Sequence, residues 1–450
     1  MNQSRAVRNL EKFFWLFLFI NPFLDILNGV YMKVIAGLNV LDVNTALSSV
    51  TPTLVIRMLV LLLFALYILM IKDTKAILTI IPIGIAWALS VVSEYINFGT
   101  ISLFVDMQYI ARFGYNVVLL IVFTHVFYHR WGDDKETFLQ ELDRLISFTL
   151  VVLSLSILLS YLFNVGYSTY ADRLGYRGSR GFFYAGNDIT AVLILLLPLS
   201  MSHAMRARLS MGLFKFLTKT LPFALTFNTL LIIGSKTAFI GAAVTTAAMF
   251  LFAVITFFIG KEKSYLPTSI IVIISSCIIF GILLLFSSSL VDNISKSFSA
   301  TGELLENESV STAVFSGRQV KLMDQLRQLK ECGIIAYLFG MGRGSQAMIV
   351  EMDLFEVFLY YGLVGACAML WVYCTLGFQF IVNFFKHFDL TAFALMLSLG
   401  LTTGYLVIAG HVLFSVTAGF YYSFTIIYSR VYFAKEKHQL FWKGTSFHEQ

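Results

Sequence analysis

PTLVIRMLVLLLFALYILMI, residues 52–71, carries a single charged side chain, Arg57, in twenty residues. A helix of about 20 predominantly apolar residues spans the hydrocarbon core of a bilayer, so this stretch reads as a transmembrane helix. The same ruler, moved outward along the chain, finds about twelve spans: 13–32, 52–71, 76–96, 109–128, 145–165, 187–203, 221–234, 236–259, 266–287, 353–384, 389–409 and 411–429. Composition agrees, with 58% hydrophobic and only 13% charged residues. A soluble domain could not cover its surface with so few charges, and a chain this apolar cannot stay disordered in water. The expectation is an all-α polytopic membrane protein, one integral domain over residues 1–450.

The distribution of Lys and Arg sets the orientation. With the N-terminus inside, 19 of the 32 basic residues fall on the inner side, which supports cytoplasmic termini. Arg5, Arg8 and Lys12 precede a long aromatic run in the charge order of a signal sequence, but Asn21, Pro22 and Asp25 interrupt its core and no small-residue cleavage site follows. It reads as a retained first helix, broken near Pro22, whose outer half lines whatever cavity lies outside. Four cysteines, three of them in apolar runs, require no disulfide. Most connections are short, but residues 288–350 form one long outer loop between spans nine and ten, and loops of that length usually carry function. Within it, Arg318 to Glu331 has apolar residues at helical spacing and reads as an amphipathic helix.

The outer basic residues are candidates for chemistry because the inside-positive bias does not account for them. Arg173, Arg177 and Arg180 stand among glycines in ADRLGYRGSRGFFYAGND. Guanidinium groups match phosphate with bidentate donors, and glycine lets backbone approach a ligand closely. The competing reading is anchoring at lipid headgroups, with Asp172 and Asp188 as neutralising partners. Lys236, in IIGSKTAFIG, follows two apolar spans with almost no loop, and an ionisable group near membrane depth suggests function. Arg318 and Arg343 sit in the long loop, and Glu351, Asp353 and Glu356 open span ten. Three carboxylates exceed what capping needs, so Glu351 or Asp353 is a candidate base for deprotonating a hydroxyl. His411 is a base or a structural residue beside Gly410. His125 and His129 have metal-ligand spacing but no flanking carboxylate motif, and read as an interfacial pair. No Walker A loop, dinucleotide fingerprint or HExxH motif occurs, and neither a metal nor a cofactor is expected.

These residues resemble the O-antigen ligase and O-antigen polymerase superfamily of bacterial membrane glycosyltransferases. The resemblance rests on Gly186-Asn187-Asp188, Ser235-Lys236-Thr237-Ala238, Gly317-Arg318, Phe339-Gly340-Met341-Gly342 and Gly362-Leu363-Val364-Gly365, and on the late position of the long loop. Two departures place the chain nearer the polymerase-like branch than the lipid A ligases. Lys236 replaces the usual arginine, which keeps the charge but loses the fork, and Glu351 and Asp353 stand where ligases carry a histidine. The resemblance implies transfer of a glycan from an undecaprenyl diphosphate carrier to another lipid-linked unit at the outer leaflet of the bacterial cytoplasmic membrane. It implies lipid-linked glycan, the bilayer and other polysaccharide-assembly proteins as partners, and no nucleic acid. A lipid-linked oligosaccharide flippase or other secondary transporter is the alternative, and a non-enzymatic assembly partner is a third reading.

Overall fold

The computed structural model describes residues 5–37, 51–132, 134–170, 177–183, 185–286, 315–344 and 349–441, with 291–292, 295–296, 299 and 346. Among them eleven helices are long and apolar enough to cross a membrane. In chain order these are α1 (Arg5–Val30, extended by a π turn to Ile35), α2 (Pro52–Ile71), α3 (Thr74–Phe98), α4 (Leu103–Arg130), α5 (Lys135–Leu162) and α6 (Gly186–Met205). They continue with α7 (Leu213–Ile233), α8 (Lys236–Phe258), α9 (Tyr265–Phe286), α12 (Asp353–Lys386) and α13 (Leu390–Ile408). Two shorter elements, α10 (Arg318–Cys332) and α11 (Ile334–Phe339), occupy the described part of the long connection. The twelfth expected span is α14 (Val416–Phe433), which is helical but tyrosine-rich and almost wholly buried, so it does not meet the hydropathy of a crossing segment.

Local chemistry explains the boundaries. Thr51 caps α2 by accepting the Leu54 N–H, with Pro52 at the first helical position. Gly234 closes α7 in the left-handed region and Ser235 immediately caps α8, accepting the Ala238 N–H at 3.2 Å. The expected break in α1 does not occur: the helix runs through Pro22 and changes only to a π turn at Tyr31–Ile35. Its outer half does reach the cavity described below.

Burial sorts the helices into layers. The span window of α6 is 94% buried, whereas those of α2 and α9 are only 22% buried and present apolar side chains outward. That is the pattern of a bundle in lipid, where inner helices are surrounded by protein and outer ones face the lipid. Between α5 and α6 the chain forms an antiparallel hairpin, β1 (Tyr167–Tyr170) and β2 (Arg177–Gly181), where the sequence suggested only a loop. Six helices, α2, α4, α6, α8, α12 and α14, begin at the end of the bundle where this hairpin lies.

Candidate active site

A cavity of about 710 Å³ opens at that end. Its walls carry Arg57 of α2, Arg112 of α4, Arg180 of β2, Lys236 of α8, Arg318 and Lys321 of α10, and Arg343. Against these seven cations stand three carboxylates, Asp25, Asp188 and Glu351, an excess of four positive charges before His411 is counted. The six helix N-termini add positive partial charge on the same side.

Glu351 is the carboxylate around which the cavity is organised. Its Oε2 accepts Arg318 Nε at 3.2 Å and Nη2 at 3.0 Å, and its Oε1 accepts Lys321 Nζ at 3.3 Å. His411 Nε2 lies 3.9 Å from Oε2, an ion-pair distance longer than a hydrogen bond. Burial alone would raise the Glu351 pKa, but His411, Arg318 and Lys321 prevail and hold it well below the usual carboxylate range. For His411, burial favours the neutral ring, but Glu351, Asp188 and Asp353 outweigh it and push the pKa up to about 9. At neutral pH the pair is therefore carboxylate and imidazolium.

Both residues of this pair have positive φ, 64° for Glu351 and 62° for His411, a conformation uncommon outside glycine. The first turn of α12 holds both in place. Glu356 accepts the Glu351 N–H at 2.7 Å, and Asp353 accepts the N–H groups of His411, Val412 and Leu413 at 2.6–2.7 Å. Asp353 does not line the cavity: both of its oxygens are taken up by this backbone turn. Gly410 belongs to the same clamp, since a Cβ there would lie 2.5 Å from the Glu351 carbonyl. Three carboxylates in close sequence thus divide into one that faces the cavity and two that position it.

Arg343 is held differently. Its guanidinium lies over the rings of Tyr109 at 5.5 Å and Tyr360 at 5.7 Å, and Nη1 donates to the Gln346 carbonyl at 2.7 Å. Its backbone N–H and that of Gly344 both donate to Asp106. Gly342 and Gly344 allow this, because a Cβ would strike Glu94 or Asp106 at 2.2–2.4 Å. Gly362, with φ 67°, interrupts α12 so that the carbonyls of Leu359 and Tyr360 accept the N–H groups of Met341 and Gly342. Arg112, half-buried, has no hydrogen bond or ion pair among the described residues.

Of the candidates named from sequence, Arg180, Lys236, Arg318, Arg343 and Glu351 come together in the cavity. Arg173 lies outside the described residues, and Arg177 is placed by its backbone in β2, paired with Tyr170. The glycines of the hairpin serve packing instead of ligand approach. A Cβ on Gly178 would sit 2.2 Å from the Ile233 carbonyl, and one on Gly181 would crowd Ile157 of α5. Sequence reading passed over Arg57 and Arg112 as site residues and gave Asp188 and His411 lesser weight. The available signal for Arg57 was its isolation among apolar residues, which is costly unless it is paired or faces a cavity. His125 and His129 lie at the other end, bonded to Asp73 and Glu11 at 2.8 Å. Among the described residues no cluster of three or more His, Cys, Asp or Glu is arranged to hold a metal ion.

A sequence profile of the family described as O-antigen ligase like membrane protein matches residues 8–303 and 292–436 of the chain. No match is found among curated proteins, and none among solved structures.

Proposed function

The chain belongs to the O-antigen ligase like membrane proteins, membrane enzymes that join glycans, and on that premise we propose that it transfers a glycan between undecaprenyl-diphosphate-linked units at the outer leaflet of the bacterial cytoplasmic membrane. The observation that carries this reading is the excess of four positive charges in one cavity of a size to take a headgroup. Each diphosphate brings about two negative charges, one per phosphate, so the excess suits a donor and an acceptor that both carry one. This favours polymerisation over ligation to an uncharged acceptor. Orientation follows from the other end, where Arg5, Arg8, Lys12, Lys435 and Lys437 gather and the positive-inside rule calls for cytoplasm.

The reaction is a displacement at the anomeric carbon. The acceptor hydroxyl oxygen forms the new bond, the bond to the diphosphate oxygen breaks, the lipid diphosphate leaves with the electron pair, and the hydroxyl proton passes to Glu351. As found, Glu351 is too weak a base, because Arg318 and Lys321 hold its charge. A donor diphosphate competes for those same two cations. Drawing them away raises the basicity of Glu351 and places them where leaving-group charge develops. The base is released only when the donor is bound, so acceptor activation is tied to donor binding.

The test is reconstitution of purified protein in liposomes with lipid-linked oligosaccharide, followed by gel analysis. A ladder spaced by one repeating unit is the expected result. A single transferred unit would indicate a ligase, and movement of the lipid-linked sugar across the bilayer without new product would indicate a flippase and overturn the reading.

A further inference from the structure

We infer that the wall of the cavity formed by α1, α2 and α14 is a sugar subsite, which takes the hydroxyl-bearing rings of the lipid-linked glycan and is separate from the cationic wall that meets phosphate. The inference rests on the transferase reading above and adds to it which wall takes the sugar and what kind of sugar it accepts.

The two walls differ in how their charge is spent. On the hairpin, α8 and α10 side, Arg180, Lys236, Arg318 and Lys321 face the cavity, with Glu351 as the carboxylate bonded to the last two. On the α1 and α2 side the charge cancels locally: Arg57 Nη2 donates to Asp25 Oδ1 at 2.5 Å, and Thr417 of α14 donates to the same oxygen. A hydroxyl and amide chain continues from there. Thr53 donates to Asn28 Oδ1 at 2.6 Å and lies 3.1 Å from the Thr51 hydroxyl. Asp25 Oδ2 and Arg57 Nε, both buried, have no partner in this arrangement.

A neutral wall of alternating donors and acceptors suits groups that both donate and accept, as sugar hydroxyls do. A phosphate there would have to take Arg57 from Asp25 and leave a carboxylate only 7% exposed uncompensated, which is strongly unfavourable, whereas Glu351, 25% exposed, keeps His411 beside it when its other cations move. An acidic sugar would meet the same carboxylate, so the wall selects neutral or amino sugars. Phe414, buried and stacked on Tyr109 with centroids 4.5 Å apart, backs the cavity lining near this wall. Asn28 and Thr417 remain partly exposed to the cavity and are the groups a ring would reach first.

The test measures binding, not turnover. Full-length protein in lipid nanodiscs is titrated with undecaprenyl diphosphate and with the same lipid bearing its oligosaccharide. Wild type should bind the glycan-bearing lipid at least about tenfold more tightly, the worth of one or two hydrogen bonds to a charged pair. The double variant Thr53→Val and Thr417→Val, which exchanges hydroxyls for methyls, should lose most of that ratio and bind the bare lipid as wild type does. Arg318→Gln should weaken both lipids and preserve the ratio. Should the double variant unfold, Asn28→Ala at the cavity surface reads the same ratio. An unchanged ratio in the wall variants, or no preference in wild type, overturns the subsite while leaving the transferase intact. Failure of wild type to bind either lipid removes the transferase reading and the subsite together.

Discussion

The two ends of the helix bundle treat ionisable residues in opposite ways. At the end where α1 begins and α14 finishes, several ionisable side chains are paired one to one: His125 with Asp73 and His129 with Glu11, each at 2.8 Å, and Arg130 with Glu141 at 3.1 Å. Lys135 and Arg430 spend their protons on backbone carbonyls of the same region. At the cavity end, seven cations share three carboxylates, Arg112 has neither a hydrogen bond nor an ion pair among the described residues, and Arg343 rests on aromatic faces. Charge that is locally balanced anchors a membrane protein, whereas charge left in excess inside a concave, partly dry wall awaits an anion. The basic residues outside the inside-positive count include all seven that line the cavity, so what looked like exceptions to a topology rule form one site.

The sharpest way to break this contrast is at Glu351. Glu351→Gln keeps the shape but removes the charge and the proton acceptor and turns one accepting oxygen into a donor, and should lower kcat about 10²- to 10⁴-fold with normal membrane insertion. Activity within a few-fold of wild type at matched protein levels would take Glu351 out of the chemistry.

Arg112→Gln and Arg343→Met each remove one cation from the excess. Each should lower kcat/KM for lipid-linked substrate by about tenfold or more, the worth of a charge-assisted bond, and each should flatten the dependence on ionic strength. Equal activity over a salt series would show that the excess does not meet substrate.

The pH profile sharpens the contrast from another side. The His411 pKa is raised to about 9 and that of Glu351 is lowered, so their ion pair is intact from mild acid upward and is lost as pH rises through about 9. There the cavity loses the imidazolium charge that adds to its excess for a diphosphate, so wild-type kcat/KM should fall on that alkaline limb, and His411→Gln should start lower and show no such limb. A wild-type profile flat through pH 10 would separate the pair from activity.

The smallest effect belongs to the opposite end. Arg130 and Glu141 are 42% and 32% exposed, and a double-mutant cycle on them should give a coupling of about 0–1 kcal/mol in unfolding, with transfer activity within about twofold. A large loss of activity there would mean that the two ends are coupled, and the division drawn between them would fail.

Much of the architecture was legible in the chain. The stretch 52–71 coincides with α2, and 236–259 with α8 to within one residue, because a span is a local sum of transfer free energies and caps such as Thr51 and Ser235 act within one turn. The helix at Arg318 was legible from periodicity for the same reason. The hairpin was not: β1 and β2 are short, and their glycines fit the backbones of α5 and α7. The continuity of α1 through Pro22 also depends on neighbours that the sequence does not display.

For the site, sequence alone picked out which residues were unusual: cations that the inside-positive bias does not account for, an ionisable group at 236, and acids at the head of span ten. Tertiary structure alone decided their roles. Glu351, Asp353 and Glu356 are chemically alike and nearly adjacent, yet one faces the cavity and two hold backbone, because the partners that fix them come from α4 and the turn before α14. Asp25, Arg57, Arg112, Asp188 and His411 enter the site from five separate segments. Hydropathy and capping depend on neighbours along the chain, whereas the meeting of charges in one cavity depends on packing between helices hundreds of residues apart, and only the folded bundle expresses it.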